Sequence, residues 1–285
     1  MLKYAVTALL VVILAAFAVT LIRDLIRHRA EIRQEPGSLR LLALACPVIY
    51  FFATMGVSDF VMNTLFLRKF HLVDDKRLPG TMLAASTLPL CASAVIYALT
   101  AEVNFVLLLI CIVCQGTGNF VGARLVDGFD GRRIKRLVGV AMLVSAVFLL
   151  LRLLGVGGDG GTLTTLPPAK MAILGVCAFL LGVGNMIGMG AKAPYFSLLL
   201  TMGLSAGSVL PLVMIACAAS GAMGGYQCVR RGLYQRKVAL MESTLGFIGV
   251  AAGSALALNL PQTALQLIMM AITVYTGVSM LREQK

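Results

Sequence analysis

The chain has 285 residues, of which 59% are hydrophobic and 13% charged, and its mean hydropathy is +0.94. Water-soluble domains carry about 25% charged residues, and no single core could hide this much apolar surface, so a cytosolic enzyme is excluded. The 24 Lys and Arg against 12 Asp and Glu leave a net charge of +12, which reads as charge in cytoplasmic loops rather than as a nucleic-acid footprint.

A spanning helix takes about 20 apolar residues. Nine apolar segments follow in chain order, at about 4–22, 41–67, 79–101, 103–126, 137–155, 170–202, 204–225, 237–258 and 262–281. The first ends in Arg23-Asp24-Leu25-Ile26-Arg27 with no small-residue cleavage site, and is read as a retained first span. Segments 41–67 and 170–202 are too long for one simple span and are polar at their middles. One carries Gly56-Val57-Ser58-Asp59, the other Gly182, Gly184, Asn185, Gly188, Gly190, Lys192 and Pro194. Gly and Pro at this density break helices. Freed backbone groups must then face protein or a polar cavity instead of lipid.

Charge fixes the expected topology. If 41–67 crossed the membrane, the loop with Arg23, Arg27, Arg29, Arg33 and Arg40 would oppose the loop with Arg68, Lys69, Lys76 and Arg77. The positive-inside rule disfavours that split. A re-entrant hairpin over 41–67, entering and leaving on the cytoplasmic side, removes the conflict. Segment 170–202 becomes a second hairpin entering from outside. Loops 128–136 and 229–237, and the C-terminus with Arg282 and Lys285, then share the cytoplasmic side. The expected location is a bacterial inner membrane.

The halves align. Gly56 lies over Gly188, Gly80-Thr81 over Gly207-Ser208, and the Gly118/Gly122 pair over Gly249/Gly253. The Gly-x-x-x-Gly pairs are read as helix-packing positions. The expected fold is an all-α polytopic membrane protein with two inverted repeats. Each repeat is a broken re-entrant hairpin plus three transmembrane helices, and an additional N-terminal transmembrane helix precedes them. The divisions are 1–40 (first helix and basic loop), 41–155 (first repeat), 156–169 (linker) and 170–285 (second repeat). Broken segments at matching positions of inverted repeats point to a secondary transporter with a site near the midplane.

The second half shows Gly182, Gly184, Gly188, Gly190 and Pro194, then Ala206-Gly207-Ser208. The first half keeps Gly56 and Gly80-Thr81, with Ser58-Asp59 and Met62 in place of further glycines and proline. On these motifs, residues 41–281 resemble the sulfite exporter TauE/SafE family, also called the 4-toluene sulfonate uptake permease family. The resemblance implies transport of a sulfur oxyanion, organosulfonate or related organic acid.

Intramembrane charges are costly and are functional candidates by default. Asp59 and Lys192 lie inside the two breaks. Lys192 and nearby backbone N–H groups are expected to attract an anion. Asp59 is read as the proton-coupling group or as the partner of Lys192 in the empty site; a purely structural ion pair is the alternative. Ser58, Asn63, Asn185, Tyr195, Thr81, Gln115, Asn119 and Ser208 complete the expected substrate-binding set. Glu242 is expected to pair with the Arg236–Lys237 end, with a second proton relay as its other reading. The seven cysteines read as buried hydrophobes, and with only His28 and His71 no metal or cofactor is expected. No P-loop or catalytic triad is present, so no enzyme is expected. The expected partners are a small anion, protons and the lipid bilayer, not nucleic acid. An anion or solute channel, and a membrane scaffold or assembly factor, stand as the other readings.

Overall fold

The computed structural model describes residues 2–54, 58–100, 103–127, 163–187 and 191–256, with isolated positions in 136–155 and 274–282. Segment 262–281 and loop 128–136 lie outside the described residues except for such positions, as does most of 137–155. The described elements are helices: α1 (Leu2–Arg27), α2 (Arg29–Gln34), α3 (Leu39–Thr54), α4 (Asp59–Lys69), α5 (Leu78–Thr100), α6 (Phe105–Asp127), α7 (Pro168–Ile187), α8 (Lys192–Thr201), α9 (Ala206–Arg231) and α10 (Arg236–Leu256). Five of them are long and apolar enough to cross a membrane, namely α1, α5, α6, α7 and α9. This is an integral membrane protein.

Both long segments divide in two: 41–67 into α3 and α4, and 170–202 into α7 and α8, with Gly182 and Gly184 inside α7. The ends of the α3–α4 pair return to one end of the molecule. Leu72, just beyond α4, lies against Gly37, just before α3. Thr81 at the start of α5 accepts a hydrogen bond from the Gln235 N–H between α9 and α10, at 2.9 Å. The loops at 28–40, 69–78 and 232–235 therefore cluster together. At the other end of α9, Ser205 donates its N–H to the Leu163 carbonyl before α7, and Lys170 donates to the Met202 carbonyl after α8. The 26 residues of α9 separate these ends by about 39 Å. The α7–α8 pair thus opens opposite to the α3–α4 pair.

The long arms α3 and α7 pack on helices of the other half, whereas the short arms α4 and α8 pack within their own. α3 lies against α10, α6 against α7, and α5 and α9 pair at the centre, each also touching α6 or α10. Glycine permits the close approach. A Cβ on Gly118 would strike the Phe179 carbonyl, and one on Gly182 the Gln115 carbonyl. On the α3–α10 side, Gly249 sits against the Pro47 carbonyl and Gly253 against Phe51 and Thr54. The Gly-x-x-x-Gly pairs are packing positions, as their spacing predicts.

α1 seats Leu10, Leu14, Phe17, Leu21 and Leu25 on α5 and α9, leaving Val12, Val19, Ile22 and Ile26 exposed. This is one apolar seam on a helix otherwise facing lipid. Its end is latched. Asp24 accepts from the Tyr234 hydroxyl at 2.5 Å and from Arg236 at 2.8 Å, and Glu31 pairs with Arg236 at 3.0 Å. Glu35 accepts the N–H groups of Arg236 and Lys237, closing the first turn of α10. α9 ends where Gly232 adopts φ 64° and donates its N–H to the Val229 carbonyl, while Leu233 reaches Cys228. Only glycine takes that conformation without strain.

Candidate functional site

The two breaks meet. Asp59 is the first residue of α4 and Lys192 the first of α8. Lys192 Nζ donates to Asp59 Oδ1 at 2.5 Å, with both residues buried, at 7% and 1% exposure. The carboxylate suits its position, because a helix N-terminus carries partial positive charge. The ammonium does not: at the start of α8 it adds to the same positive end. The junction therefore collects one lysine and two helix N-termini against one carboxylate, an arrangement that favours an additional negative charge.

Around the pair lies a cavity of about 30 Å³, lined by Ser58, Ser86, Thr87, Asn185, Cys217 and Gly221 together with apolar groups from α4, α5 and α9. That is room for about two water molecules. Asp59 Oδ2 is buried with no hydrogen-bond partner among the described residues. Asn185 spans the second break, its Oδ1 accepting the Ala191 N–H at 3.3 Å.

Of the expected site residues, the cavity gathers Ser58, Asp59, Asn185 and Lys192. The others lie outside its lining. Asn63 is one helical turn beyond Asp59 and donates to Glu242 at 3.1 Å. Gln115 faces Cys217 Sγ at 3.8 Å, and Asn119 donates to the Ser220 carbonyl at 2.7 Å; both join α6 to α9. Tyr195 is buried against Cys111. Thr81 donates to the Arg77 carbonyl and ties α5 to the α9–α10 turn. Ser208 bonds Ser205 at the opposite end of α9.

The cavity wall also contains Ser86, Thr87, Cys217 and Gly221, which the sequence reading passed over. Ser86 and Thr87 form a polar pair inside the apolar run of α5, and that interruption was their signal. Cys217 and Gly221 carried none, since small residues fill α9 throughout. The pairing expected of Glu242 is corrected. Arg236 is taken by Asp24 and Glu31, and the Lys237 ammonium donates to the Glu35 main-chain carbonyl. Glu242 is instead buried in the interior, accepting from Tyr50 at 2.6 Å and from Asn63. It lies about one and a half turns along α10, so its carboxylate points away from the basic end. The seven cysteines are free thiols; Cys46, Cys91, Cys111 and Cys228 are buried, and Cys114, Cys177 and Cys217 are half-buried.

The sulfite exporter TauE/SafE family model matches residues 2–149, more than half of the chain. The chain belongs to the TauE/SafE family. The match includes the first helix and the half whose glycine pattern is sparser; the glycine-rich motif of the second half lies beyond it. No curated protein and no solved structure matches the chain. Membership of TauE/SafE makes this a membrane transport protein of a family that moves sulfur anions.

Proposed function

We propose that this TauE/SafE protein is a secondary transporter that moves a small anion by alternating access, with its site where the two breaks meet. The favoured substrates are a sulfur oxyanion, an organosulfonate or a related organic acid. The observation that carries the reading is the buried Lys192–Asp59 pair at the N-termini of α4 and α8.

An entering anion takes the Lys192 ammonium and the free N–H groups at the two helix starts. Asp59 is displaced and accepts a proton, since two negative groups beside one buried cation are unfavourable. The cavity holds only about two waters, so the hairpins separate to admit substrate.

Two inverted repeats supply that motion. Exchanging α3, α4, α5 and α6 for α7, α8, α9 and α10 returns the principal helix contacts: α3–α10 becomes α7–α6, and α5–α10 becomes α9–α6. This pairing pattern supports repeats 41–155 and 170–285 rocking about the central α5–α9 contact. The end with Arg68, Lys69, Arg77, Arg230, Arg231 and Arg236 is assigned to the cytoplasm by its charge, a reading that goes with a cytoplasmic C-terminus and a bacterial inner membrane.

The test is a thermal-shift screen with sulfite, thiosulfate, sulfoacetate, taurine and simple carboxylates on wild type and Lys192→Met. A ligand that binds the native state raises the melting temperature. The expected result is stabilisation by one anion class in wild type, lost in Lys192→Met. Equal stabilisation of both proteins overturns the site.

A further inference from the structure

We propose that Glu242 is a proton-binding site of the transport cycle, exchanging its proton with Asp59 along one turn of α4. The inference rests on the proton-coupled reading above and assigns the residue through which the proton enters the site.

Glu242 is 1% exposed, and among the described residues no Lys or Arg pairs with it. Its fixed neighbours suit both protonation states. The Tyr50 hydroxyl and the Asn63 amide both donate to Oε2, at 2.6 and 3.1 Å, an arrangement open to the carboxylate and to a carboxyl protonated on its other oxygen. In the protonated state the carboxyl needs an acceptor for its O–H. Asn63 Oδ1 is buried with no partner among the described residues, and rotation of that amide presents it to Glu242. Buried polar atoms in folded proteins are nearly always partnered, so this orphaned acceptor is a place for the Glu242 O–H.

The connection to the anion site is α4 itself. Asp59 and Asn63 are four residues apart on one helix, on the same face, about 6 Å along the axis. Asp59 binds Lys192 at one end of this row and Asn63 binds Glu242 at the other. Asp59 Oδ2 is the second orphaned acceptor. The cluster holds two carboxylates and one cation. While Asp59 holds Lys192, Glu242 keeps the proton. When an anion takes Lys192, the proton leaves the Glu242 carboxyl and bonds to Asp59 Oδ2. The Glu242 carboxylate is then held by Tyr50 and Asn63 until it takes a proton from the aqueous phase. One O–H bond breaks as one forms.

The groups that act on Glu242 are few. α3 presents Tyr50 and Cys46, and α4 presents Asp59 beyond Asn63. α5, also packed on α10, contains no charged residue from Leu78 to Thr100. α2 reaches only the start of α10, through Glu31 and the adjoining Glu35.

The carboxylate is not there for packing. In the register that sets Gly56 over Gly188 and Gly118 over Gly249, Asn63 falls on Tyr195 and Glu242 on Cys111. Tyr195 and Cys111 meet between α8 and α6, so the same contact is made in the other half by an uncharged pair.

The experiment reconstitutes wild type, Glu242→Gln and Tyr50→Phe in liposomes, with sulfite as probe, and follows purified protein by infrared pH titration. Glu242→Gln is expected to keep sulfite exchange at zero gradient and to lose pH-driven uptake by about a hundredfold. The protonated-carboxyl band that titrates in wild type is expected to vanish in Glu242→Gln. Tyr50→Phe removes a donor to the ionised form, so the band should persist to higher pH than in wild type. PH-driven uptake equal to wild type in Glu242→Gln, or an unchanged titrating band in that variant, overturns the proposal. If Glu242→Gln is unfolded by melting temperature, the Tyr50→Phe midpoint decides: a rise supports the site and an unmoved midpoint overturns it. Should wild type fail to move sulfite, that substrate assignment fails, and the infrared titration still decides Glu242 by itself.

Discussion

A lysine at the first position of a helix works against the dipole of its own backbone, and Lys192 tolerates it only because Asp59 stands 2.5 Å away. The two substitutions therefore differ in kind. Asp59→Asn leaves a buried ammonium uncompensated and should destabilise the protein by about 3–5 kcal/mol. Adding Lys192→Met to Asp59→Asn removes the stranded charge, and chemical denaturation should show part of that loss recovered. An Asp59→Asn protein as stable as wild type would contradict the buried pair. Both charges were legible in the sequence, because ionisable residues inside apolar runs are conspicuous. Their neighbours were less so. Asn63, Gln115, Asn119 and Tyr195 are as polar as Ser58 and Asn185, but helix rotation turns them to other partners, and no spacing rule gives rotation about a broken axis. Glu242 misled for a related reason. Proximity in sequence to Arg236 and Lys237 suggested pairing, whereas Asp24 and Glu31, some two hundred positions away, already occupy Arg236, and the Glu35 main-chain carbonyl holds the Lys237 ammonium.

At the level of elements, the decisive device is backbone contact between helices of opposite halves. Gly118→Ala pushes a methyl into the Phe179 carbonyl, which cannot move without shifting α7. Overpacking of this kind costs about 1–3 kcal/mol, and α6 and α7 should separate measurably in a cross-linking assay. Gly175→Ala is the matched control, since its methyl would meet Cys114 and Ile110 at ordinary contact distances of 3.4 and 3.6 Å. Its melting temperature should stay close to that of wild type. Equal loss from both substitutions would show that helix propensity, not close approach, sets the cost. The existence of these helices followed from apolar length alone. The breaks followed from glycine density, and their bounds fall within the sequence expectation. What the sequence did not disclose is that α3 and α7 would pack on the far half. Periodicity describes which face of a helix is apolar and is silent about which neighbour covers it.

For the whole molecule, the clustering of loops 28–40, 69–78 and 232–235 at one end has a direct check. Single cysteines placed at 34, 74 and 233 in a cysteine-free background should all react with a membrane-impermeant thiol reagent from the same face. Labelling of position 74 from the face opposite to position 34 would mean that 41–67 crosses the bilayer, and the opposed hairpins would fall with it. The charge pattern predicted this arrangement before any contact was known, because Arg and Lys loops on two sides of one segment leave few topologies open.

The pairing of α3 with α10 also sets a schedule for making the protein. α3 emerges from the ribosome about 180 residues before α10, an interval of about 10–40 s at ~5–20 residues per second. Through that interval a half-length hairpin, with a buried aspartate at its turn and no cation opposite it, has no native surface to rest on. Its lysine partner arrives only with the second half. A nascent chain of this design must be held at the membrane by the insertion machinery, or left in the interface, until translation supplies the remainder. Synthesis rate and insertase supply then govern how much native transporter a cell obtains.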